Sequence, residues 1–225
     1  MRALLALLVT VVLLPSSLVP PGADYAPRDV RGWTVQVERG LERTEDGKRA
    51  LELLDAKLFD VARAVPADAL AKLRRVPFWL SKDDSAAPCS CYHPSPEWLK
   101  EHGHDPRKAK GVEITNAARF VEWSAQQPSM VLHELAHAYH DRELGFDHAG
   151  VRAELERVKA SKAYESVLHW NGTREKAYAL ENEQEFFAEA SEAWFGTNDF
   201  WPFVRAEVLE SQPELAALLK QVWGG

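Results

Sequence analysis

Cysteine is scarce in this chain, with two in 225 residues. That number excludes a disulfide-framework miniprotein and a four-cysteine zinc site. Basic charge is not in excess either: 27 lysines and arginines stand against 34 aspartates and glutamates, a formal net charge of −7. Phosphate contacts need clustered Lys and Arg, so general nucleic-acid binding is excluded. No repeat or low-complexity tract occurs. What remains is ordinary globular material, 46% hydrophobic and 27% charged, of a length that suits one domain and buries a core without staples.

The first residues read as a targeting segment. Arg2 is the lone charge before the apolar run Ala3–Leu14, which Pro15, Ser16 and Ser17 break. A short basic start, an apolar stretch of this length and a small-residue exit describe a secretory signal peptide over residues 1–23. The run is short of the roughly 20 residues a comfortable membrane span needs. An uncleaved anchor extended through Leu18 and Val19 is the competing reading. The expected product is a secreted or periplasmic single domain, residues 24–225, with no stable membrane association.

Beyond that point strands lie early and helices late, which predicts an α+β fold. Trp33–Val37 alternates with β-rich residues as a first strand. Apolar residues from Leu51 to Ala62 recur at helical spacing within Thr44–Ala64, with Thr44 or Asp46 as the N-cap. Ala67–Arg74 reads as a short helix. Val76–Leu80 reads as a strand whose Pro77 favours an edge or a strand start. Residues 81–110 read as a long loop, and Gly111–Thr115 as a strand able to line a cleft and pair with an extended peptide. Gln127–Leu144 is the clearest helix, with Pro128 in its first turn and Gly145 past its end. Further helices are expected at Val151–Val158, Leu180–Trp194, Val204–Glu210 and Glu214–Val222.

The clearest helix carries His133-Glu134-Leu135-Ala136-His137. Residues four apart share one helical face, so both imidazoles can address a single ion, and zinc favours neutral nitrogen ligands in tetrahedral geometry. Glu134 sits beside the first ligand, where a general base meets the metal's water. Apolar neighbours make the helix a buried one, and two histidines and a glutamate there without a metal would be expensive.

The third ligand separates the zinc-helix classes. A histidine ten residues after the first would fall on Glu143, and position 140 is not glycine, which excludes the metzincin pattern. His140 lies on a related face, but three ligands from one straight helix leave poor tetrahedral geometry; His148 is a remote alternative. The better source is a carboxylate of the segment Tyr178–Glu189, where Glu185 and Glu189 are four apart and Phe186, Phe187 and Ala190 supply packing.

His133-Glu134-x-x-His137 with Tyr178-x-x-x-Asn182-Glu-x-Glu185-Phe-Phe-Ala-Glu189 resembles the catalytic domain of anthrax lethal factor and its relatives, a gluzincin family of zinc metallopeptidases. The likeness covers roughly residues 131–190. It implies a zincin-like domain, with a small N-terminal sheet, an active-site helix and a helical C-terminal half. It implies that His133, His137 and Glu185 bind one Zn2+ and that Glu134 activates water. It also implies that Tyr178 donates its hydroxyl to the developing oxyanion and that Glu189 orients a ligand histidine from behind. The expected activity is metalloendopeptidase hydrolysis of peptide or protein substrates. A zinc-binding module that no longer cuts, or a hydrolase of another amide such as a cell-wall crosslink, are the alternatives.

Other features stand apart. Cys89-Ser-Cys91 permits one small-ring disulfide, free or intermolecular thiols, or a thiol pair that blocks the zinc. His102 and His104 read as a solvated loop or a second metal site. Asn171-Gly172-Thr173 is a formal glycosylation sequon.

Overall fold

Tyr25–Val30 (β1) and Trp33–Glu38 (β2) form an antiparallel hairpin. Arg31 and Gly32 turn it with φ of 54° and 88°, the left-handed pair that matches strand twist. The computed structural model describes residues 24–84 and 90–224; the expected signal peptide and Cys89 lie outside them. β1 has no apolar alternation and contains Pro27, which explains why its sequence does not announce a strand; an edge position tolerates both. β2 buries Trp33, Val35 and Val37 as its alternation predicts.

Phe78–Leu80 (β3), Ser90–Tyr92 (β4) and Val112–Ile114 (β5) complete a sheet of order β1-β2-β3-β5-β4. β2, β3 and β5 run parallel, and β4 is antiparallel to β5. Pro77 ends up at a strand start: β3 begins at Phe78, and the Pro77 carbonyl accepts the Val112 N–H at 2.9 Å. β5 is an interior strand, so the expectation that residues 112–115 form the cleft-lining edge is corrected. That edge is β4, inside the stretch expected to be loop. The pattern hid it because a three-residue strand is too short to show a period.

Thr44 caps Glu45–Ala64 (α1), its Oγ1 accepting the Gly47 N–H at 3.0 Å. Ala67–Leu73 (α2) follows as expected. Two short helices were not expected: Pro96–Glu101 (α3), capped by Ser95, and Ala117–Trp123 (α4), capped by Asn116. Met130–Tyr139 (α5) starts later than predicted, because Pro128 and Ser129 form a turn before it. It runs on into a π-turn, His140–Leu144, ended by Gly145 at φ 81°. Ala149–Ser161 (α6), Glu183–Phe195 (α7), Arg205–Ser211 (α8) and Pro213–Trp223 (α9) form the helical second half. A small hairpin, Val167–Leu168 (β6) with Arg174–Glu175 (β7), interrupts it.

This is a mixed α+β architecture with one continuous apolar core. α5 lies between the sheet edge at β4 and the later helix α7. Trp223 binds the two helices together from α9: it stacks on Tyr139 at 4.1 Å and on Phe187 at 5.6 Å, and its Nε1 donates to Ser191 Oγ at 3.2 Å. No helix among the described residues is long and apolar enough to cross a membrane.

Candidate metal centre

α5 and α7 face each other with their chemistry inward. On α5, His133 and His137 are one turn apart, their ring planes at 83° and their centroids at 4.7 Å. On α7, Asn182 sets the start. Its Oδ1 accepts the N–H groups of Gln184 and Glu185, both at 2.9 Å. This cap holds Glu185 in the first helical turn, where the helix dipole favours a carboxylate. Glu185 Oε2 then lies 3.1 Å from His133 Nε2 and 3.4 Å from His137 Nε2. Three donors from two helices converge on one point, and all lie within 4.8 Å of one another. Two imidazole nitrogens and a carboxylate form a donor set suited to a transition-metal cation such as zinc, so these residues fit the ion the sequence implies.

The electrostatics show what a cation would relieve. Burial works against the Glu185 charge, yet the bonds from His133 and His137 hold its carboxyl down at about 2. Burial likewise opposes a charged His133, but Glu185 and Glu192 outweigh it and raise its pKa. The site therefore attracts positive charge to this spot, as a proton on His133 or as a metal ion.

Glu134 points to the sheet side and is 8% exposed. One oxygen accepts the Tyr92 backbone N–H of β4 at 2.7 Å. Burial raises its pKa, and the nearby Glu185 charge raises it further against the lowering effect of the two histidines and the Tyr92 N–H. Tyr92 is itself fixed, its hydroxyl donating to Asp141 Oδ2 at 2.6 Å. Tyr178, in the 3-10 turn before α7, lines the same cavity and is 46% exposed. Partial burial, with Glu185 next, raises its pKa and keeps the hydroxyl protonated.

The structure brings His133, Glu134, His137, Tyr178, Glu185 and Glu189 to one cavity of about 660 Å³. It also brings residues the sequence reading passed over. His133 Nδ1 lies 2.6 Å from Glu192 Oε1 and 3.8 Å from Glu189 Oε1, so the carboxylate bonded behind the His133 ring is Glu192. Both glutamates lie on the inward face of α7, three apart, and spacing alone does not rank them. Asp199, His169, Trp123 and Phe200 also line the cavity; they come from loops and the ends of elements, where no motif marked them.

Other candidates go elsewhere. His140 is fully buried against Phe187 and Phe146, with both ring nitrogens unpartnered. It is not among the donors that converge with Glu185. His148 caps α6, accepting the Val151 N–H at 3.3 Å. His102 stacks on Trp98 at 4.1 Å, and His104 is buried beside the same ring. Cys91 is disulfide-bonded and lines the cavity rim. Compared with protein-family models, curated proteins and solved structures, the chain finds no match.

Proposed function

We propose that this chain is a secreted zinc metalloendopeptidase of the gluzincin type, similar to the lethal factor catalytic domain, acting on peptide or protein substrates. The observation that carries the reading is the convergence of His133 Nε2 and His137 Nε2 on one Glu185 oxygen, with buried Glu134 beside them in an open cavity. His133, His137 and Glu185 would hold the ion, which supplies Lewis acidity toward the scissile carbonyl and lowers the pKa of water.

The chain's own groups do the rest. Glu134 takes the proton from water and passes it to the leaving amine. The Tyr92 N–H occupies one of its oxygens and so fixes the carboxylate, leaving the other for the proton. Its raised pKa brings it nearer the range in which one group serves as base and then as acid. Tyr178 offers a protonated hydroxyl to the developing negative charge. Glu192 accepts from His133 Nδ1 and fixes the tautomer that presents Nε2 to the ion. β4, whose strand partner among the described residues is β5, offers its other edge to an extended peptide.

The test sets zinc content beside casein hydrolysis for the protein and its Glu134→Gln variant. One zinc in each and hydrolysis by the parent alone is the expected result. The variant's rate should fall by at least the roughly 100-fold that a positioned general base contributes. Zinc in neither protein would sink the ligand set.

A further inference from the structure

Glu134 and Asp141 are seven residues apart on α5 and the π-turn that continues it. Positions seven apart return to nearly the same face of a helix, and one residue of β4 reaches both. The Tyr92 N–H donates to Glu134 Oε2 at 2.7 Å, and the Tyr92 hydroxyl donates to Asp141 Oδ2 at 2.6 Å. The same Asp141 oxygen takes a second donor, Lys110 Nζ, at 2.5 Å. Lys110 is tied in turn to the residue that follows β4. Its N–H donates to the His93 carbonyl at 2.7 Å, and the His93 N–H donates to the Gly111 carbonyl at 3.1 Å.

The two donors to Asp141 differ in weight. Tyr92 is 7% exposed and the Asp141 side chain 14%, so water competes little for the hydroxyl. A phenol donating to a carboxylate there makes a charge-assisted bond, roughly twice as strong as a neutral one. The Lys110 side chain is half exposed, and an ion pair of that kind contributes little. β4 itself is weakly held. It is three residues long, with β5 as its strand partner among the described residues. So short a strand has few ladder bonds to fix its height against α5. The bond to Asp141 supplies what the ladder lacks, because it pins the side chain of the residue whose N–H meets Glu134.

The placement of that strand bears on the proposed hydrolysis, since a misplacement of about 1 Å can cost on the order of 100-fold in rate. We infer that Asp141 is a positioning residue: through the Tyr92 hydroxyl it holds β4 where the Tyr92 N–H fixes the Glu134 carboxylate. The inference rests on the peptidase reading for the role of Glu134, but the tie itself can be tested without catalysis. Amide hydrogen exchange, followed by NMR with zinc present, would compare residue 92 with Leu80 on the central strand β3. The proteins are the parent, Tyr92→Phe, Asp141→Ala and the double variant. Exchange at residue 92 relative to Leu80 should rise about tenfold in each single variant, as the loss of one hydrogen bond implies. It should rise no further in the double variant, because the two side chains act through one bond. In peptide hydrolysis kcat should fall about tenfold with KM and zinc content unchanged, the pattern of an interaction lost in the transition state. Tyr92→Phe removes one oxygen and is the variant to rely on should Asp141→Ala fail to fold.

Exchange at residue 92 that only keeps pace with Leu80 overturns the inference, since the side chains then stabilise the fold without placing β4. Additive effects in the double variant also overturn it, because Asp141 then acts by a route other than the hydroxyl. So does an unchanged kcat in variants whose residue 92 exchanges faster. If exchange behaves as expected but the parent cuts no peptide, the tie between Asp141 and β4 stands and the peptidase reading is the part that fails.

Discussion

Single residues carry the sharpest consequences. Glu192 and Glu189 sit three apart on α7, and a distance of 2.6 Å against 3.8 Å decides which one holds His133. Glu192→Gln should lower zinc affinity about 10- to 100-fold, read by competition with a chelating dye, with little change in the fold. Unchanged affinity there, with a loss in Glu189→Gln, would return the role to Glu189. His140 is the opposite case, a histidine with no polar partner. Burial, with the charges of His137 and His148 next, holds its pKa down at about 4 in the fold, against about 6.5 unfolded. A neutral buried histidine contributes no penalty above pH 6.5. As pH falls toward 4 the unfolded chain takes up the proton first, and stability drops by on the order of 3 kcal/mol. His140→Leu should therefore lose less stability than the parent between pH 7 and pH 4.5 in paired urea titrations. Parallel curves would contradict that account.

Elements are held in register by buried polar ties as much as by packing. Lys108, 2% exposed, lies between Glu113 on β5 and Asp84, to which it donates at 2.8 Å. The other Glu113 oxygen meets His93 Nε2 at 2.8 Å, and Glu113 is wholly buried. This network fastens the loop after β4 to the middle of the sheet, next to the strand that positions Glu134. Lys108→Met leaves a buried carboxylate without its main counter-charge. It should cost about 3–5 kcal/mol in urea unfolding. Adding Glu113→Gln to it should recover part of the loss, because the uncompensated charge is then gone. Short capped elements such as α3, α4 and β4 were the least legible. Three to seven residues hold too little of a period to separate from loop, and tertiary pairing settles their state.

At the scale of the molecule, the candidate ligands come from two helices that only the fold brings together. α5 lies beside the sheet edge, α7 packs across from it, and Trp223 of α9 stacks on residues of both. An ion bound by both helices is bound by the folded chain alone. Zinc at about 100 times its dissociation constant should add about 2.7 kcal/mol of stability, or roughly 5–10 °C in melting temperature for a domain of this size. A chelator should reverse the shift, His137→Ala should abolish it, and Glu134→Gln should keep it. A shift that survives in His137→Ala would place the ion elsewhere. The sequence by itself determined the chemistry that is local: the four-residue spacing of His133 and His137 on one helix, the presence of Glu185 on a second helix, and the mixed α+β class. These follow from periods, which short-range geometry enforces. Only the tertiary structure decided that α7 starts at the Asn182 cap, that Glu192 backs His133, that β4 rather than β5 forms the edge, and that Asp199 and His169 line the same cavity as the two helices. All but the first of those facts depend on distances between segments far apart in the chain. Packing sets such distances, and no spacing along the chain encodes them.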